Sequence, residues 1–411
     1  MMQGSITKLP QDWKIIKLED VVDFQRGLTY SKKDEVDYSD NIVLRSNNVD
    51  LLTNKLNFTE LKYINSSIEI PENKKVRKDS LLICTANGSK SHLGKVALID
   101  IDYNYAFGGF MGLITPMQKL DSKFLFYLMT SDNYKKFINE LSDGANINNL
   151  KFGDLGKFEI PLPPLPEQQR IVSILDECFA AIDKAKANAE QNLRNAKELF
   201  ESYLQGVFEK KGEGWKERKL GEVCDTGAGG TPLKSHKDYY EDGTIPWLLS
   251  GEVSQGEIFE AKNFITEKGL KNSSAKLFPP NTVLVAMYGA TAGQVGILRF
   301  EACTNQAVCG ILPNTNFIPE FLYYKFLAGK EALVSQAVGG AQPNISQIKI
   351  KNTMIPVISL KDQQTIVRQL DALRAETQKL EAVYQKKIAN LEELKKSILQ
   401  KAFSGELLND S

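Results

Sequence analysis

A tandem repeat constrains this chain more than any other feature, because the fold must be one that a single sequence pattern can build twice. Trp13-Lys14-x-x-Lys17-Leu18-x-x-Val21 recurs 202 positions later as Trp215-Lys216-x-x-Lys219-Leu220-x-x-Val223, and Gly27, Thr29 and Lys32 continue it as Gly229, Thr231 and Lys234. Phe124-Leu125-x-Tyr127 returns at an offset of 197 as Phe321-Leu322-x-Tyr324. Ile160-Pro161, Leu165, Gln168-Gln169 and Ile171-Val172 return at an offset of 195 as Ile355-Pro356, Leu360, Gln363-Gln364 and Ile366-Val367. The same 195 relates Leu204-Gln205-x-x-Phe208 to Leu399-Gln400-x-x-Phe403. Length variation therefore belongs to the globular part of each copy, and the closing stretch is held in register.

That closing stretch reads as a long helix in both copies. Its apolar positions run Ile171, Leu175, Cys178, Ile182, Ala185, Ala189, Leu193, Ala196, Leu199, Tyr203 and Val207, then Ile366, Leu370, Leu373, Leu380, Tyr384, Ile388, Leu391, Leu394 and Ile398 in the second copy. This is the three-and-four spacing of a coiled-coil seam. Thr377 is the polar seam position, and two successive steps of four at Ala185, Ala189 and Leu193 form a stutter. At 1.5 Å per residue, Glu167 to Phe208 spans roughly 60 Å, so each helix needs a partner. The simplest pairing is antiparallel, with the two globular parts expected at opposite ends of a shared rod. Pro161 to Pro166 makes a stiff extended lead into the first helix, with Pro166 suited to its first turn and Glu167 adding favourable charge there. A proline-rich docking ligand is the other reading of that segment.

The globular parts are mixed. Strand-like runs at Ser80–Cys84, Lys95–Ile99, Thr282–Ala286 and Gln294–Leu298 precede helical patterns at Asp121–Leu141 and Ile318–Val338. An α+β unit built on a small sheet is expected in each copy.

With 411 residues, 51 Lys+Arg against 51 Asp+Glu and 42% hydrophobic content, the composition is globular and large enough for two to four domains. No apolar run is long enough to span a bilayer, and residues 1–10 lack a signal-peptide pattern, so a cytoplasmic, non-membrane protein is expected. Cys84, Cys178, Cys224, Cys303 and Cys309 show no C-x-x-C pair, and His92 and His236 are the only histidines, which argues against a disulfide framework and a His-built metal site.

Catalytic signatures are missing. There is no Gly-Lys-Ser or Gly-Lys-Thr of a Walker loop, and Gly227-Ala-Gly229-Gly230-Thr231-Pro232 reads as a turn or backbone-approach loop. Phe278-Pro279-Pro280-Asn281 has the wrong order for an adenine-methyltransferase pocket, and Glu209-Lys210-Lys211 is a solvated charge run at a helix end. No catalytic residue, metal site or cofactor of its own is expected.

What remains is a duplicated binding surface. Lys74 to Lys95 carries Lys74, Lys75, Arg77, Lys78, Lys90 and Lys95 against Asp79 alone, a local net of +5. Basic turns beside polar loops suit phosphate contact and base reading. The candidates are Arg45-Ser-Asn47-Asn48 and Asn87-Gly-Ser89-Lys90-Ser-His92, with Lys32 nearby, and in the second copy Ser250-Gly-Glu252 and Tyr288-Gly-Ala-Thr291, with Lys234 and His236.

The ordered, duplicated set of Trp-Lys-x-x-Lys-Leu, Gly229-Gly230-Thr231-Pro232, Ile160-Pro161-Leu-Pro163-Pro164-Leu-x-Glu167-Gln168 and Leu-Gln-x-x-Phe resembles the specificity subunit of a type I restriction-modification system. The resemblance spans nearly the whole chain. It implies two mixed α/β target-recognition domains (1–160 and 211–356), each followed by a helical spacer (161–210 and 357–411), with the helices pairing as an antiparallel coiled coil. It also implies double-stranded DNA as ligand, two modification methyltransferase subunits bringing S-adenosylmethionine, and restriction subunits bringing ATP-driven translocation and cleavage.

Two departures stand out. Ile355-Pro356-Val-Ile-Ser-Leu360-Lys361-Asp362-Gln363 loses the proline run and the Glu before Gln, and Gly27-Leu28-Thr29-Tyr30 replaces Gly-Gly-Thr-Pro. The copies differ most where bases would be read, which predicts an asymmetric bipartite target. A coiled-coil scaffold without sequence preference, and a nuclease with an unrecognised site, are the competing readings.

Overall fold

The computed structural model describes residues 9–143, 149–210, 212, 214–336 and 344–407. The chain divides into two units, Met1–Ala189 with Lys386–Ser411, and Glu190–Gln385.

In the first unit Lys14–Lys17 pairs antiparallel with Glu159–Leu162, so the repeated Trp-Lys motif lies against the strand that leads into the long helix. Two four-stranded sheets lie between them in sequence, where a single small sheet was expected. One has the order 22–26, 111–116, 81–84, 96–98 and is antiparallel throughout. The other has the order 35–36, 62–64, 41–44, 106–107, with its last pair parallel. Leu81, Leu82, Ile83 and Cys84 are all buried, which is why this run reads as continuously apolar rather than alternating. Helices Ser122–Leu128 and Asp132–Asp143 replace the single helical run predicted over 121–141; Asp121 caps the first by accepting from Phe124 N at 3.0 Å.

The second unit repeats the plan. Lys216–Lys219 pairs with Met354–Val357, and the partners Lys14↔Leu162 and Lys216↔Val357 carry the two sequence offsets into space. Its sheets have the orders 226–228, 308–311, 283–286, 295–298, 257–258 and 264–265, 245–248, 302–304, 277–278. Helices Pro319–Ala328 and Lys330–Ser335 follow. The end of the predicted run at Val338 lies outside the described residues, as does Lys211 of the charge run.

Each copy closes in a continuous 45-residue helix, Leu165–Glu209 and Leu360–Ser404. Within the first unit Lys186 pairs with Glu392 at 2.8 Å and Asp183 with Lys395 at 3.1 Å, so the partner number rises as the first falls, the signature of an antiparallel pair. Within the second unit the Tyr203 hydroxyl reaches Gln369 at 3.5 Å. The seam is broader than a strict heptad. Leu199, Tyr203, Leu380 and Leu394 are substantially exposed, whereas Leu204 and Phe208 are buried, because the end of the first helix packs on the globular core, Phe208 against Phe321 and Phe200 against Tyr324.

Two buried glutamines tie helix to globular core. Gln168 Oε1 accepts from Asp121 N at 2.8 Å, and its Nε2 donates to the Lys119 and Pro163 carbonyls at 2.9 and 2.8 Å. Gln363 does the same with Ile318 N, Asn316 O and Ile358 O at 2.9, 2.8 and 3.1 Å. Three backbone groups at a helix start are thereby satisfied by one side chain, which a buried site demands. The departure at Asp362 also has a structural meaning. Trp13 Nε1 donates to Glu167 at 2.9 Å, whereas the shorter Asp362 instead accepts from the Ser359 hydroxyl at 2.7 Å.

Candidate nucleic-acid interface

Four loops of the first unit converge because of strand register. Arg26 and Ile83 both face Gly112 across the strand 111–116, so the turn after Arg26 and the loop after Cys84 leave the sheet at one end. Gly108 N donates to Leu44 O at 2.9 Å and Leu28 N to Phe107 O at 2.7 Å, bringing the Arg45 loop and the 108–110 turn to the same end. The repeated Gly27 is required here: a Cβ on it would collide with the Gly108 carbonyl. Phe110 O accepts from Thr85 N and Ala86 N at 2.9 and 3.1 Å, holding the turn against the 85–92 loop.

Side chains cross-link these loops. Asn87 Nδ2 donates to Ser46 Oγ at 2.9 Å while its Oδ1 accepts from Ser89 N, and Ser89 Oγ lies 2.9 Å from Ser91 Oγ. Lys95 Nζ donates to Val49 O at 2.7 Å and contacts His92 Nδ1 at 2.9 Å, and His92 closes the short turn that Lys90 opens. Burial and the Lys95 ammonium together hold the His92 imidazole below the usual histidine range. Arg45 Nε is buried without an acceptor among the described residues. Lys62, bonded to Glu35 at 2.7 Å, chiefly holds the Glu35 carboxyl below the usual carboxylate range, with Arg45 and exposed Lys32 adding to it.

Other predicted residues sit differently. Asn48 is fully buried, accepting from Arg45 N at 2.8 Å and donating to Asn57 O and Glu60 O, so its amide shapes the loop. Asn47 is exposed and reaches Glu60. Lys74 Nζ caps the Arg26 carbonyl at 2.8 Å, joining the cluster, and Lys75 pairs with Glu72 at 2.6 Å. Arg77 precedes strand 81–84 and so lies at its far end from the cluster. The +5 stretch is thus dispersed over both ends of a sheet, with Lys95 buried inside.

The second unit builds the same cluster. Gly229 N donates to Val308 O, Asn305 N to Leu248 O and Met287 N to Ala307 O, at 3.0, 2.9 and 2.7 Å. Glu252, buried, accepts from Leu249 N at 2.8 Å, as Asn48 does from Arg45, which aligns Ser250 with Ser46. Tyr288 is half-exposed and its carbonyl accepts from Thr291 Oγ1. Lys234 is exposed, and His236 stacks on Tyr239 with centroids 4.8 Å apart and contacts Asp238 at 3.7 Å. Matching bonds of Gly94 N to Cys84 O and Gly293 N to Ala286 O show that the loop after Ala286 is three residues shorter than the loop after Cys84.

Sequence reasoning missed Arg26 and Phe110. Arg26 directly precedes the repeated glycine, a usable signal, but nothing in the sequence marks Phe110, 74% exposed in the middle of the cluster.

A family model described as type I restriction modification DNA specificity domain matches residues 10–192 and 212–392, once for each copy. The chain belongs to this family. Type I specificity proteins similar to it include the EcoKI specificity subunit of Escherichia coli K12, 27% identical with 98% of this chain and 91% of the relative covered, and the StySPI specificity subunit of Salmonella potsdam, 26% identical with 97% and 90% covered. The fold matches a chain of a solved type I restriction-modification system (TM-score 0.78, 22% identity, 97% and 100% covered) and the HsdS subunit of Thermoanaerobacter tengcongensis (TM-score 0.64, 20% identity, 97% and 98% covered). As a type I specificity protein, the chain is a DNA-recognition component. Among the described residues no helix is long and apolar enough to cross a membrane, and no cluster of His, Cys, Asp or Glu could hold a metal.

Proposed function

We propose that this chain reads a bipartite, asymmetric double-stranded DNA site, one half with each loop cluster, and positions two modification methyltransferase subunits and the restriction/translocase subunits on it in the cytoplasm. The observation that carries this reading is that one backbone frame presents two different sets of side chains. Arg26, Arg45, His92 and Phe110 line the first frame where Ala228, Leu249, Thr291 and Ala307 stand in the second, and Asn87 belongs to the longer loop of the first. A shared frame with divergent loops suits shared docking and separate sequence reading.

Residues 1–160 and 211–356 act as the readers, and 161–210 and 357–411 as spacers whose length sets the untouched DNA between half-sites. Arg45, Asn47, Asn87, Ser89, Lys90 and His92, and Ser250, Tyr288 and Thr291, face base edges. Lys32, Lys74, Lys75, Lys234 and His236 serve the phosphates beside the two clusters, Arg77, at the far end of its sheet, meets only a phosphate outside that contact, and Asn48 acts through the shape of its loop. Adenine methylation requires the base to be flipped into a partner's pocket. Catalysis and its cofactors therefore come from the partners.

The test is gel-shift titration of the chain, alone and with its neighbouring methyltransferase, followed by mapping of methylated adenines. Methylation at one non-palindromic bipartite motif, only with both proteins present, is expected. A palindromic motif would overturn the asymmetric reading, and no sequence preference would leave the coiled-coil scaffold as the answer.

A further inference from the structure

The first loop cluster holds a buried cation. Lys95 is 7% exposed, and a desolvated ammonium is costly unless its N–H groups find acceptors. Two are present, the Val49 carbonyl at 2.7 Å and His92 Nδ1 at 2.9 Å. An ammonium only donates, so Nδ1 accepts, and the single proton of the neutral ring sits on Nε2. Nε2 has no partner among the described residues and is not a buried orphan. The same Lys95 bond to Val49 ties the 90–92 turn to the Arg45–Asn48 turn, fixing the ring relative to the other reading loop. In the second unit the shorter loop puts Thr291 where His92 stands and Gln294 where Lys95 stands, so the device belongs to the first half alone.

We propose that Lys95 is a positioning residue that fixes His92 as an Nε2–H donor, and that His92 reads a purine N7 in the major groove of the first half-site. The inference rests on the DNA-reading function proposed above. A neutral ring adds nothing to counterion release, so its use lies in direction rather than charge. N7 is a pure acceptor that both purines present in the major groove, so one fixed donor separates purine from pyrimidine there.

The experiment uses the full chain with its methyltransferase and duplexes carrying the motif mapped by methylation. Each purine of the first half-site is replaced in turn by its 7-deaza analogue. One position is expected to weaken binding by about tenfold, the size of a lost hydrogen bond to a base. His92→Ala should cause the same loss on the natural duplex and no further loss on that analogue. His92→Gln, whose amide keeps a donor near Nε2, should recover most of the affinity. ¹⁵N spectra should show the Nε2–H tautomer in the parent chain and a mixture in Lys95→Met. Equal weakening of His92→Ala on every duplex, additivity with every analogue, or failure of His92→Gln to recover binding overturns the proposal. These readouts hold even where Lys95→Met fails to fold. If the parent chain shows no motif preference, the function proposed above fails with it, and the two failures are told apart by that first titration.

Discussion

The Tyr127 hydroxyl donates to an Asp176 carboxylate oxygen at 2.5 Å, bonding the last residue of the Phe-Leu-x-Tyr motif to the fourth turn of the long helix. The other Asp176 oxygen receives Lys123 Nζ at 2.7 Å. The second copy repeats the bond as Tyr324 to Asp371 at 2.5 Å. The Phe-Leu-x-Tyr motif, which recurs at an offset of 197, thus meets a helix aspartate that recurs at 195. Burial first, and the carboxylate next, raise both phenols far above their ordinary range, so they remain donors at every working pH.

Removing that donor should loosen each unit. Tyr127→Phe and Tyr324→Phe are each expected to cost about 1.5–3 kcal/mol, the range for a hydrogen bond to a charged group. Urea titration of each variant against the parent chain checks this, and an unchanged midpoint would show that the bond contributes nothing net.

Gln168 offers a test with a pH signature. Gln168→Leu strands one N–H and two carbonyls, at about 1–3 kcal/mol each before any water enters. Gln168→Glu places a carboxyl against the Lys119 and Pro163 carbonyls, which favours its protonated form and raises its folded pKa. The unfolded chain then releases that proton first, so the variant is most stable below the ordinary glutamate value of about 4.3 and loses stability as pH rises through its folded pKa. Thermal melts from pH 4 to 8 on this variant, with the parent as reference, should show a deficit that widens with pH.

Gly229→Ala should damage the loop cluster of the second unit. An added Cβ would run into Thr304 and the Asn305 carbonyl, and overpacking of this kind costs about 1–3 kcal/mol. Lowered melting temperature together with weakened binding to the second half-site is the expected pair of results. Gly251→Ala, with open space around it, is the control and should melt like the parent.

Loop variants of the first unit should separate reading from shaping. Arg45→Ala and Asn87→Ala are expected to weaken binding to the cognate site by about 1–3 kcal/mol and relax selectivity at single positions. Lys32→Ala should instead weaken all sequences alike and reduce the salt slope by about 1. Asn48→Ala should lower stability, because it leaves Arg45 N, Asn57 O and Glu60 O unpaired inside the loop. Fluorescence anisotropy at several salt concentrations distinguishes the three classes.

The histidine contact predicts a pH dependence of its own. With burial and then Lys95 opposing protonation, His92 should titrate below its ordinary value of about 6.5. Its contribution to stability is present above the unfolded value and is lost as pH falls through the folded one. NMR titration should place His92 below the range of an ordinary histidine, and Lys95→Met should move it up.

The repeat, both long helices and the strands around Leu81–Cys84 and Val283–Ala286 were legible because each rests on local periodicity or on side chains that recur in order. The width of the helix seam was not. Leu199 and Tyr203 satisfy a heptad yet stay exposed, since burial at that height is decided by Phe321 and Tyr324 from the globular core. At the candidate interface, Arg45, Asn47, Asn87 and His92 could be named from their loops alone, but the fate of Asn48 and Lys95 could not. Loop composition reports polarity, while burial depends on which distant backbone carbonyls close over a side chain.

The sequence by itself determined a chain built twice, the family it belongs to and the order of its elements, because offsets, capping residues and apolar spacing are local properties. Only the tertiary structure decided which polar side chains share a surface. It set Arg26, Arg45, Asn87 and Phe110 at one sheet end, sent Arg77 to the other and buried Lys95 against His92. Strand pairing makes that choice: 22–26 and 81–84 both run antiparallel to 111–116, so the loops that follow them share one end, and nothing within a single strand records which strand it will pair with.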